Sequence, residues 1–193
     1  DSDHEVVRAA VSVLSEFDYL VNDNNKAKFA ALLKQNYSPL LEKLTLVQGD
    51  SDQTATIHLR DQLFEMLGMY ADDAALISKS EAIANQYIKD SSSVPSGIAG
   101  TAIAIATKYS EVKDNSAWFD KLTAAFDKAQ LPNVKSTLIY SMHFSDKASV
   151  FKMLELALAD KSTPANTMYM VMRVARNLDD QTLLYEWLAK NKQ

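Results

Sequence analysis

The stretch HLRDQLFEMLGMYADDAALISKSEAIANQYI, residues 58–88, decides the fold class. Together with Ile57 just ahead of it, its first half sets Leu59, Leu63, Phe64 and Leu67 along one side of a helix. Its second half does the same with Leu76, Ile77, Ala82, Ile83 and Tyr87. Between them lies GMYADD, where Asp72 or Asp73 is expected to cap the second helix by accepting from its orphan first-turn N–H groups. Two amphipathic helices joined by so short a turn bury their apolar stripes by lying antiparallel.

The same pattern continues in both directions. Upstream, VVRAAVSVLSEFDYLV aligns Val6, Val7, Ala10, Val13, Leu14, Phe17 and Leu20 in one broad stripe. After NDNN, Asn24 or Asn25 is placed to cap a helix carrying Phe29, Leu32, Leu33, Leu40, Leu41 and Leu44, with a kink or split expected at Pro39. Downstream, KDSSSVPSG reads as a loop, and Ser96 leads into GIAGTAIAIATKYS, whose Gly97, Ala99, Gly100, Ala102 and Ala104 permit close helix packing. AWFDKLTAAFDKA follows. Leu131-Pro132-Asn133, Ser145-Asp146 and Ser162-Thr163-Pro164 read as starts of further helices, the last a hydroxyl cap followed by a first-turn proline. DDQTLLYEWLAKN closes the chain, and no segment alternates with period two for long enough to compete.

Helical pairs begin near Ser96, Asn133 and Thr163, at intervals of roughly 30 to 37 residues. The expected fold is therefore all-α: about ten helices in antiparallel pairs, stacked as a HEAT-like right-handed superhelix. Such stacks curve, and their concave side is where binding usually occurs. A chain of 193 residues can bury one substantial core, so a single all-helical domain over 1–193 is expected. Only four Gly and four Pro fit helices joined by short polar loops. Because the chain opens at Asp1 without an initiator Met, it reads as a fragment of a longer protein or a processed product.

Composition narrows the function classes. A net charge of −5 without clustered Lys and Arg gives no reason to expect a nucleic-acid surface. The most apolar stretch, GIAGTAIAIA, is too short to span a membrane. The absence of Cys removes disulfides, thiol nucleophiles and thiolate metal sites, and leaves the compartment open.

One motif invites a metal reading. HEVVR, His4 to Arg8, begins like the zinc peptidase motif H-E-x-x-H, but its fifth position is a cation that cannot ligate zinc. His58 and His143 each stand alone, and a more distant Glu ligand would fall at about Ala27. HEVVR reads as a chance match, so no metal and no catalytic residue is assigned to this chain. Asp72-Asp73 and Asp179-Asp180 read as helix caps, Arg60 as a structural cation between helices, and His143 as a satisfied core histidine. The Met and aromatic residues of MHF, MYMVM and YEW read as core rather than as a ligand-gripping cluster. Arg173 and Arg176, three apart on one helix, are the candidate substrate-binding residues, able to meet a peptide carboxylate in the bidentate geometry Arg favours. The competing reading pairs them with Asp179, Asp180 or Glu186.

The order of several segments resembles the C-terminal helical domain of aminopeptidase N-type zinc peptidases, particularly the puromycin-sensitive and endoplasmic-reticulum branch. YSPLLEKLTL, Tyr37 to Leu46, is similar to the family's Leu-Leu-x-Pro stretch. In residues 58–88, Leu59, Arg60, Leu63, Leu67, Asp72, Ala82 and Tyr87 match its pattern, and STLIYSMHFSDKASVFKMLELAL is similar to its helix, Ser-Asp turn and Leu-rich helix. The closing block resembles NLDDQTLLYEWLAKN through Asn177, Tyr185, Trp187 and Asn191, with Asp180 where the family often has Gly and Tyr185 where it often has Trp. The likeness runs from about Leu14 to Asn191. It implies a non-catalytic domain of a zinc-dependent aminopeptidase, with the zinc held by a separate upstream domain in cis. Its partners would be peptide substrates and that catalytic domain, and the parent would work in cytoplasm or in a periplasmic or secreted setting. The domain would cap the active site, line the substrate cavity and govern access by domain closure. The alternative is a free-standing helical-repeat adaptor for a peptide or protein. An apolar flank for the upstream domain is expected on the first helix, at Val6, Val13 and Phe17.

Overall fold

The apolar stripes become helices in the computed structural model, which describes residues 4–17, 20–46, 49, 51–109, 115–144, 146–159, 163–176 and 181–191. Ten helices follow in order: α1 (His4–Ser15), α2 (Lys26–Leu44), α3 (Thr54–Tyr70), α4 (Ala74–Lys89), α5 (Ser96–Tyr109), α6 (Asn115–Lys128), α7 (Pro132–Tyr140), α8 (Lys147–Ala157), α9 (Pro164–Arg176) and α10 (Gln181–Lys190). The described residues hold no strand.

Local chemistry sets the helix starts. Asp73 accepts from Ala75 N and Leu76 N at 3.0 and 3.1 Å, and Asp146 accepts from Ser149 N at 2.9 Å. Thr163 Oγ1 accepts from Asn166 N at 3.2 Å, and Pro132 and Pro164 take first-turn positions where no N–H is needed. Each side-chain cap contributes about 1 kcal/mol. Asn25 precedes α2 without capping it; its Oδ1 accepts from Asn22 N at 2.7 Å instead. Asp72 is no cap either. It bends the α3–α4 turn through a left-handed conformation at φ 49°, which Asp tolerates better than most residues. Helix α2 runs unbroken through Pro39, without the split that proline allowed. On α4 the buried small residues are Ser80 and Ala84 rather than Ala82, which is exposed.

The odd-numbered helices form one layer, in which α1 packs on α3, α3 on α5, α5 on α7 and α7 on α9. Of the even helices, α2 packs on α3, α4 on α5, α6 on α7 and α8 on α9. This all-α stack of helix pairs is consistent with an α-solenoid. At its centre α5 buries Ile98, Ala99, Ala102, Ile103, Ile105 and Ala106. Small residues set the spacing around it. A Cβ on Gly68 of α3 would lie 2.1 Å from Ile105 Cδ1, and one on Gly100 of α5 would lie 2.9 Å from Ser141 Oγ at the end of α7.

Arg60, with 3% of its side chain exposed, ties the α2–α3 connection together. Its Nε donates to Thr45 O at 2.9 Å, and its Nη2 reaches Leu44 O at 3.3 Å and Asp52 Oδ2 at 2.5 Å. Thr45 sits at φ 55°, costly for a β-branched residue, and Arg60 holds its carbonyl in that conformation. The stripe on α1 divides. Val11 is buried, with Val7 and Leu14 half-buried against the core, whereas Val6, Val13 and Phe17 are 65%, 56% and 44% exposed. These three are the residues anticipated as an apolar flank.

Overpacking a core costs about 1–3 kcal/mol, more than the ~1 kcal/mol by which Ala exceeds Gly in a helix interior. Gly68→Ala is therefore expected to lower stability in urea unfolding. Gly49→Ala, whose added Cβ meets only the Asp52 carboxylate at 3.6 Å or more, is expected to stay within about 0.5 kcal/mol of the parent.

Candidate functional site

Helix α9 carries Tyr169 and Arg173 one turn apart on one side. The Tyr169 hydroxyl donates to Tyr140 O at 2.8 Å, and the two tyrosine rings lie 4.2 Å apart between centroids. Arg173 Nη1 donates to the same hydroxyl at 3.3 Å, and its Nη2 donates to Nδ1 of His143. His143 is fixed in turn by its backbone N–H, which donates to Thr107 Oγ1 of α5 at 2.9 Å. Burial pushes the His143 imidazole down to about 3, with the charges of Arg173 and Lys108 adding to the effect. It is therefore neutral at pH 7 and accepts through Nδ1.

Arg173 is thus held from two sides by neutral acceptors, and no carboxylate among the described residues pairs with it. Glu186 is described and does not take that place; Asp179, Asp180 and the side chain of Arg176 lie outside the described residues. His143, expected as a satisfied core histidine, is satisfied by orienting Arg173.

Across the layer, α3 brings Asp61 and Glu65 onto one side, four residues apart. Neither makes a hydrogen bond or ion pair among the described residues, and Asp61 Oδ1 is buried without a donor. Burial raises the Asp61 carboxyl, with Arg60 and His58 pulling it back in part. Burial likewise raises Glu65, the charge of Arg173 opposes the rise, and Asp61 adds to it. Glu65 is nonetheless open to solvent.

At the end of α5, Lys108 donates to Met69 O, and the Tyr109 hydroxyl donates to Asp72 Oδ1 at 2.6 Å. The odd-numbered helices thus carry two acids on α3 and an oriented cation on α9.

Sequence reading found Arg173 but missed Asp61, Glu65 and the partnership with His143. The i, i+4 spacing of Asp61 and Glu65 was a visible signal, whereas the meeting of residues 143 and 173 depends on how α7 and α9 stack.

The motif that began as HEVVR is distributed among structural bonds. His4 Nδ1 lies 3.2 Å from Thr56 Oγ1, and Arg8 pairs with Glu5 at 2.9 Å. Among the described residues no three His, Cys, Asp or Glu side chains gather as a metal site, so these residues do not fit a zinc ion. No described helix is long and apolar enough to cross a membrane.

The depressed pKa of His143 makes stability pH-dependent. The unfolded chain takes up this proton near pH 6.5 and the folded chain only near 3, so the contribution is complete above about 6.5 and is lost as pH falls towards 3. Between these limits it amounts to at most about 1.4 kcal/mol per pH unit. His143→Asn, which keeps an acceptor for Arg173 and removes the titration, is expected to flatten the urea-unfolding stability profile between pH 5 and 6.5 relative to the parent. Parallel profiles would remove His143 as the source.

A search of curated proteins gave no match. A family model described as ERAP1-like C-terminal domain matches residues 1–193. The paired-helix architecture agrees with that match, and the chain belongs to the ERAP1-like C-terminal domain family, the helical C-terminal domain of aminopeptidase N-type enzymes.

Proposed function

We propose that this chain is the non-catalytic domain of a larger zinc-dependent aminopeptidase, in which it caps the active site, lines the substrate cavity and controls access by domain closure. In this reading the zinc and the chemistry of peptide hydrolysis belong to an upstream domain in cis. The observation that carries the reading is the state of Arg173. A guanidinium oriented by two neutral acceptors keeps its charge for an incoming anion, and the anion a peptide always presents is its C-terminal carboxylate. In this reading Arg173 receives that carboxylate, with Arg176, three residues on along α9, as a second cation.

The apolar stripe on α1 supports docking against the rest of the enzyme. Val6 and Val13 share one exposed side of the first helix, and beyond its end Phe17 and Leu20 are exposed as well, Leu20 at 51%. An exposed stripe of this kind marks an interaction surface. Closure against it brings Arg173 over the catalytic domain and makes substrate length and ends part of the selection.

In the full-length enzyme, Arg173→Gln is expected to raise KM for peptides with a free C-terminal carboxylate by about 10-fold or more, the equivalent of one charge-assisted hydrogen bond of roughly 1.5–3 kcal/mol. KM for the same peptides amidated at the C-terminus should not change. An equal effect on both, or none, removes Arg173 from this role. Replacing Val13 and Phe17 together by Lys should leave the isolated chain within about 1 kcal/mol of its original stability, each site being a surface change. In the full-length enzyme the same pair should loosen the junction and expose it to limited proteolysis; unchanged cleavage would place the contact elsewhere.

A further inference from the structure

The even layer is interrupted on both sides of α4. Helices α6, α8 and α10 pack side by side, but α4 and α6 barely meet. A side chain bridges the break, Lys121 Nζ donating to Asn85 Oδ1 at 2.6 Å. Within it lies a cleft of about 420 Å³, floored by Val134 and Leu138 of α7 and walled on one side by Ala124 of α6. Lys89, Lys121 and Lys128 surround this apolar floor, and the lining contains no Asp or Glu. The ammonium groups of Lys89 and Lys128 have no hydrogen-bond or ion-pair partner among the described residues. In a chain of net charge −5, this is a local reversal of sign over an apolar surface.

We propose that this cleft binds a small amphiphilic carboxylate, its apolar tail on Val134 and Leu138 and its head among the three lysines. Size favours a small molecule over a peptide helix. Lys121 and Lys128 bound the α6 wall over seven residues, about 10 Å of helix rise, too short to seat the three turns or so that an amphipathic helix needs. The volume falls within the range of about 300–1,000 Å³ typical of small-ligand cavities. Charge selects the head: three ammonium groups attract a carboxylate and gain nothing from a neutral alcohol of the same shape. The competing account is that Lys89 and Lys128, in the last turns of α4 and α6, only offset the negative helix ends.

Decanoate, kept below its micelle point, is the probe, with 1-decanol as the same tail without charge and acetate as the head without a tail. Lys121 lies 4.8 Å from the Trp118 ring centroid, so its recruitment to a bound anion changes Trp118 fluorescence, and calorimetry gives the stoichiometry. Expected is saturable one-to-one binding of decanoate, at least tenfold tighter than decanol or acetate. The double variant Lys121→Gln, Lys128→Gln should weaken decanoate at least tenfold and leave decanol unchanged. Equal binding of decanoate and decanol, no saturable binding, or an unaltered double variant overturns the proposal. A double variant that melts earlier while decanoate binds no better than decanol assigns the lysines to the helix ends alone. If the double variant does not fold, Ala124→Trp, which fills the cleft without changing charge, decides: binding must disappear.

Discussion

The close approach of α3 and α5 is the constraint on which the rest of the structure depends. There is no room at Gly68 for a Cβ against Ile105, so the two helices meet almost backbone to side chain at the middle of the odd layer. The same economy at Gly100 lets α7 settle beside α5 through Ser141. Larger residues would push the layer apart along its length and carry the acids of α3 away from the cation of α9. The spacing of those charges is thus set by small residues that carry no charge themselves.

Two arginines show how neighbours determine what a charge can do. Arg60 is buried, saturated by two backbone carbonyls and the Asp52 carboxylate, and holds an unfavourable Thr45 conformation in place. Its charge is matched, and removing either partner would strand the other in a desolvated setting. Arg173 is oriented with comparable rigidity by a tyrosine hydroxyl and a neutral imidazole, neither of which cancels its charge. The first arginine is a structural clamp. The second is preorganised and electrostatically unspent, which is the condition for strong recognition of an anion at little cost in ordering.

Much of the architecture was legible from residue spacing. The apolar stripes located the helices, Asp73, Asp146 and Thr163 acted as caps, and the prolines that open α7 and α9 marked their first turns. Spacing failed where only tertiary context decides. Asp72 and Asp73 are equivalent as letters, but one bends the turn and the other caps the helix. Ala82 and Ala84 differ by two residues on α4, and which of them is buried depends on the angle at which α4 meets α5. Of the candidate site, Arg173 could be named from its type, but its value rests on what is absent around it. A sequence does not show that a carboxylate is missing. Nor does it show that residue 143, far away along the chain, supplies the uncharged acceptor.

The unequal continuity of the two layers has a mechanical consequence. The odd layer is joined at every step, whereas the even layer has seams on both sides of α4, toward α2 and toward α6. A laminate bonded throughout on one side and slit on the other is stiff against stretching but compliant in bending, and its fold lines lie opposite the slits. Here those lines run on either side of α5, so small rotations there change the curvature of the odd face while the helices themselves stay intact.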